Sequence, residues 1–84
     1  QQSEREERNS RAMAKKEKIV DEYRRYLHDI AVARSEEILD ELLHKTEDLI
    51  TGNSDLFSAR EYTDNLATLR IFYWKAKTKI QEGI

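Results

Sequence analysis

Ile30-Ala31-Val32-Ala33-Arg34-Ser35-Glu36-Glu37-Ile38-Leu39 decides the fold of this chain. The stretch lies inside a run from Met13 to Ile50 with neither proline nor glycine, so propensity alone lets one helix pass straight through it. The apolar pattern does not pass through unchanged. At about 100° per residue, Ile19, Tyr23, Tyr26, Leu27 and Ile30 centre near ~130° on a helical wheel. Ile38, Leu39, Leu42, Leu43, Leu49 and Ile50 centre near ~260° on the same wheel. Supercoil drift of about 20° per heptad is too small to account for the jump.

Two readings follow. In one, the helix breaks at Ser35, whose hydroxyl can cap a new helix with Glu36 and Glu37 in its first turn. In the other, one long helix continues and its halves serve different partners. The spacing predicts helices over 13–34, 36–51 and 59–82 of a single helical domain, preceded by a charged extension over 1–12. Glu4–Arg8 and Glu7–Arg11 support helix in that extension, but it has little to bury and is expected to fray without a partner.

The boundary before the third helix is sharper. Gly52 is the one interior glycine and stands where a left-handed residue would end the second helix. Thr51 to Asp55 then reads as a turn. Ser58-x-x-Glu61 is a capping box, with Phe57 and Tyr62 placed as its hydrophobic staple. Tyr62, Leu66, Leu69, Tyr73, Ala76 and Ile80 follow in alternating steps of four and three, a coiled-coil-like stripe. Ala67, Ile71 and Trp74 form a second apolar face near ~230°, about opposite the first.

The fold expected is all-α: an elongated helical hairpin or three-helix arrangement, dimerising into a four-helix or coiled-coil-like bundle. Low hydrophobic content, 38%, beside 38% charged residues argues the same way, because a compact core of this size is marginal. If the first two helices are continuous they span about 60 Å, against about 36 Å for the third. Antiparallel pairing across Gly52 then packs Tyr62, Leu66, Leu69, Tyr73 and Ile80 against Ile38, Leu42 and Leu49, and brings Lys75, Lys77 and Lys79 towards Asp29, Glu36 and Glu37. Ile19, Val20, Tyr23, Tyr26 and Leu27 are left as an association surface, with Ile71 and Trp74 as a second one. If the first helix instead folds back at Ser35, the chain closes into a three-helix bundle and Trp74 becomes core.

Composition narrows the function classes. The sequence begins Gln-Gln-Ser without an initiator Met, which points to a fragment or processed form. With no cysteine there is no disulfide framework, no thiolate metal site and no cysteine nucleophile. The charge-dense first thirty residues do not read as a secretory signal, and the short apolar runs do not span a membrane. The location expected is therefore intracellular, in the cytoplasm, with no membrane partner. Charge is unevenly spread: nine basic and seven acidic residues in 1–34, one and seven in 35–57, five and three in 58–84.

Candidate chemistry is thin. Glu41-Leu-Leu-His44 has the Glu-x-x-His spacing of carboxylate-bridged di-iron bundles. Both residues fall near ~80–140° on the wheel, away from the apolar face of their helix, so no metal or other cofactor is expected. His28 likewise lies off the apolar stripe of the first helix. Lys16, Arg34, Arg70 and Lys77 stand at stripe edges, where long stems cover apolar surface.

The function expected is a non-enzymatic protein–protein interaction or oligomerisation module, an adaptor or scaffold subunit. It would bind a second copy, as a homodimer, or another helical protein. Two alternatives remain. A nucleic-acid-associated protein would use Arg11, Lys15, Lys18 and Arg25, although Glu4, Glu7, Glu22 and Asp29 are interleaved with them. A small all-α enzyme would need Lys16, Arg34 and Arg70 to converge as an anion clamp at a dimer interface.

Overall fold

A computed structural model describes the backbone of residues 2–83 and the side chains of residue 11 and residues 13–83. It contains α1 (Gln2–Ala31), α2 (Glu36–Thr51) and α3 (Ala59–Gln81), with a single 3-10 turn at Ser54–Leu56. There is no strand among the described residues. Each helix packs on the other two.

The break falls where the apolar pattern changes face. Val32 N–H still donates to the His28 carbonyl and Ala33 N–H to that of Ile30, then the helical ladder stops. Ser35 is extended (φ −135°, ψ 152°), and its Oγ accepts the Ile38 N–H at 3.2 Å. The first helix thus ends at Ala31, three residues before the expected Arg34. Serine at the N-cap satisfies an otherwise orphaned donor, and Glu36 and Glu37 complement the positive end of α2. With the chain reversed, the ~130° and ~260° faces point to one core, and the wheel phases of the two segments no longer conflict.

The second reversal uses less glycine geometry than expected. Gly52 is right-handed (φ −68°, ψ −16°) and closes α2, not the left-handed residue its type suggested. Asn53 continues the turn, its Nδ2 donating to the Leu49 carbonyl at 2.7 Å. The chain then passes through the 3-10 turn. What favours glycine at 52 is space, since a Cβ there would stand 2.8 Å from the Asp48 carbonyl oxygen. The capping box of α3 forms as spaced: Ser58 Oγ accepts the Glu61 N–H at 3.1 Å and Glu61 Oε1 accepts the Ser58 N–H at 3.0 Å.

The topology is up-down-up. Lys16 meets Glu61, Tyr23 meets Asn65, and Ala31 shares a cleft with Phe72, Ala76 and Lys79, so α1 and α3 run parallel. Tyr73 against Asp40 marks the antiparallel crossing of α3 and α2. The molecule measures 60 × 19 × 15 Å, elongated because α1, about 45 Å long, outruns the ~35 Å of α3. The core is one cluster: Tyr23, Leu27 and Ile30 from α1, Leu39 and Ile50 from α2, Leu69 and Ala76 from α3. Thr46 is fully buried among them and its hydroxyl donates to the Leu42 carbonyl at 2.7 Å, which meets the cost of burying it.

Three expectations are corrected here. The apolar stripe of the first helix does not wait wholly uncovered for another chain. The start of α3 reaches back to Lys16, so Tyr23 and Leu27 are buried inside one chain at 7% and 9% exposure. Ile38 is not an inward residue. It is half exposed at the α1 edge of α2, about 100° round from Leu39, which takes the core position. Finally, a closed bundle does not draw Trp74 inward, because Leu69, Ala76 and Tyr73 already present α3 to the core.

Candidate protein-interaction surface

The periodicity of α3 fixes which side chains face out. Leu69 and Ala76, seven residues apart, are buried, and the residues two before Ala76 and two after Leu69 fall on the opposite side. Those residues are Trp74 and Ile71, at 64% and 53% exposure. Ala67 and Thr78 extend the same strip and are exposed. A large aromatic side chain left out of a complete core is the informative observation here.

The rim of the strip is basic. Arg70 and Lys75 are exposed on either side, and Lys79 lies a turn beyond. The Lys77 ammonium sits 5.5 Å from the Tyr73 ring centroid and 5.9 Å from that of Trp74, within cation–π range of both. Lys77 therefore leans on the aromatic pair, and none of Lys75, Lys77 and Lys79 forms an ion pair with Asp29, Glu36 or Glu37. Among the described residues the ion pairs are Lys16–Glu61 at 2.8 Å, Lys45–Glu41 at 3.2 Å and Arg60–Asp64 at 4.0 Å. The Tyr73 hydroxyl donates to Asp40 Oδ1 at 2.8 Å, and that bond to a carboxylate raises the phenol's pKa.

At the other end of the bundle, Lys16 binds both oxygens of Glu61, at 2.8 and 3.0 Å, and its ammonium lies 5.8 Å from the Phe57 ring. The lysine, together with the Ser58 N–H, lowers the Glu61 carboxyl to about 2. This cluster ties α1 to the capping box of α3, so it is structural. Tyr23 completes that tie: its hydroxyl donates to the Asn65 carbonyl at 2.7 Å, and burial raises its pKa.

Of the residues expected to form an interface, Ile71 and Trp74 are brought together on a free face. Ile19, Val20 and Tyr26 are half-buried along α1, while Tyr23 and Leu27 belong to the core. Met13 and Val32, which were assigned to no face, are exposed apolar residues, and so is Ile38, which was expected to point inward. Val32 and Ile38 flank the break and, with Asp29, Arg34 and Leu42, line a shallow groove between α1 and α2. Their signal lay in the break itself, since a residue beside a chain reversal cannot follow the stripe of either helix.

The residues of the other readings stay apart. Lys16 is engaged by Glu61 at one end of the bundle and Arg34 sits in the turn at the other, while Arg70 lies on the outside of α3. Glu41 is paired with Lys45, His44 and His28 are exposed, and no group of three or more potential metal ligands occurs among the described residues. Arg11, Lys15, Lys18 and Arg25 are exposed on α1 with Glu22 and Asp29 among them, and the side chains of Glu4 and Glu7 lie outside the described residues. No helix among the described residues is long and apolar enough to cross a membrane. No known protein family, no curated protein and no solved structure matches this chain.

Proposed function

We propose that the chain is a non-enzymatic protein-interaction module that docks through the outer face of α3. One observation carries the reading: the three helices close a core of their own, yet Trp74 and Ile71 stand side by side outside it. Aromatic side chains on rigid helical surfaces are typical anchors of protein interfaces. The charged rim suits such a face, since it keeps the unbound module dispersed while leaving an apolar centre. An adaptor or assembly role fits a face of this kind.

The test is differential capture in cells that express the chain. Cross-linked partners of the wild type should be lost with Trp74→Ala and with Ile71→Asp. They should be retained with Met13→Asp, an equally exposed apolar residue on α1. Circular dichroism of each variant checks that the bundle is intact. An unchanged set of partners with both α3 variants would overturn the reading.

A further inference from the structure

The outer face of α3 is itself a heptad seam. Ala67, Ile71, Trp74 and Thr78 follow in steps of four, three and four, all exposed, which is the a/d spacing of a coiled coil. The flanking e and g positions are then Thr68, Arg70, Lys75 and Lys77. No acidic residue lies between Asp64 and Glu82. In helix pairs the e and g charges select the partner and its orientation.

These charges exclude the simplest occupant. Two copies of α3 paired in parallel would set Arg70 against Lys75, and paired antiparallel would set Arg70 against Lys77 in one register, or Lys75 and Lys77 each against itself in the next. Each like-charge pair is destabilising. The α2 of a second copy is acidic, but its outward stripe Glu37, Glu41, His44 and Asp48 carries no apolar side chain for Trp74, and its one exposed large apolar residue, Ile38, stands at the α1 edge without a second at a/d spacing. The seam requires both properties in one element.

Resting on the interaction reading above, we infer that this face binds one acidic amphipathic helix of a different protein. Its apolar residues at a/d spacing cover Ile71 and Trp74, and its Glu or Asp residues at e and g meet Arg70, Lys75 and Lys77. Lys77 is already held against the Trp74 ring, so the cation most central to the seam is oriented before the partner arrives.

Trp74 is the chain's one tryptophan, so its emission reports the seam directly. The probes are two synthetic peptides of about four heptads with Leu at a and d, one with Glu and one with Lys at every e and g position. The Glu peptide should shift Trp74 emission to shorter wavelength, saturably, and bind more weakly as salt rises. The Lys peptide should leave the emission unchanged. Arg70→Glu combined with Lys75→Glu, both at exposed positions, should weaken the Glu peptide at least about tenfold and admit the Lys peptide.

Equal binding of both peptides, or binding of neither, would overturn the acidic-helix assignment. So would a shift produced by phosphatidylserine vesicles but not by the Glu peptide. A shift that appears with rising concentration of the chain alone, lost in Ile71→Asp, would assign the seam to a second copy instead. In each of these cases partner loss with Trp74→Ala would still stand for the broader reading. That reading fails separately if the captured partners are unchanged.

Discussion

The two faces of α3 carry nearly the same pattern and meet opposite fates. Leu69, Tyr73 and Ala76 on one side and Ile71, Trp74 and Thr78 on the other are each spaced for helix pairing. The inner set is covered by α1 and α2, while the outer set meets solvent. What separates them is not spacing but extent. The inner stripe is longer, and α1 and α2 both lie against it. The outer strip is short and edged by Arg70, Lys75 and Lys77, which reach water at no cost to packing. An apolar stripe on a helix thus does not by itself fix whether the fold covers it.

The largest test of that contrast is truncation on each side. Leu69→Ala should cost about 2–5 kcal/mol in urea unfolding, because a fully buried side chain leaves a cavity between three helices. Trp74→Ala removes a larger side chain yet should stay within about 0.5 kcal/mol, since it leaves no cavity. Comparable losses would mean that Trp74 supports the fold and that the outer face is not free.

The two tyrosine hydroxyls give a smaller version of the same contrast. Tyr23→Phe should cost about 1 kcal/mol, because the hydroxyl's bond to the Asn65 carbonyl is lost in a half-buried place that water does not readily refill. Tyr73→Phe should cost less, roughly half as much, because water replaces the exposed bond to Asp40. Thermal unfolding of the two variants side by side measures the difference.

The caps come next. Ser58→Ala removes one half of the capping box and should cost about 1 kcal/mol, and Ser35→Ala about the same or less. Ser35 has a second readout. If the break depended on its hydroxyl alone, the alanine variant would gain helix by circular dichroism as α1 and α2 fused. We expect no gain, since fusion would pull Leu39 and Ile50 out of the core.

The smallest effect is on pH. Glu61 titrates near 2 in the folded chain, below its ordinary value of 4.5, because Lys16 and the Ser58 N–H favour the carboxylate. The folded state therefore binds this proton less readily than the unfolded one. The stabilisation is complete above about pH 4.5 and is lost as pH falls towards 2. Glu61→Gln should melt below the wild type at neutral pH and approach it at the acid end. The pair is exposed, so added salt should shrink the gap.

Much of the fold could be read from residues and their spacing. The Ser58–Glu61 capping box, the extent of α2 and the stripe of α3 depend on neighbours three or four positions away, and all appear as spaced. Ser35 was harder to read, because a serine followed by two glutamates is compatible with a cap and with a helix interior. Gly52 shows a related difficulty: its type allows a left-handed turn, but the Asn53 side chain made that unnecessary. Of the residues expected at an interface, Trp74 and Ile71 could be placed outside the core by their position opposite Leu69 and Ala76. Tyr23 and Leu27 could not be separated from them, because both pairs are apolar residues on an amphipathic helix face.

The sequence by itself determined helical segments separated at Gly52, the Ser58–Glu61 cap of α3, and an α3 with two apolar faces, since each of these follows from local spacing and short-range hydrogen bonding; the break at Ser35 it left open. Only the tertiary structure decided that α1 returns alongside α3, with Lys16 at Glu61 and Tyr23 at Asn65. That pairing joins residues more than forty positions apart, and no local propensity encodes it. It put Tyr23 and Leu27 in the core and left Trp74 and Ile71 outside. A three-helix core has room for one face of α3, and the longer stripe filled it.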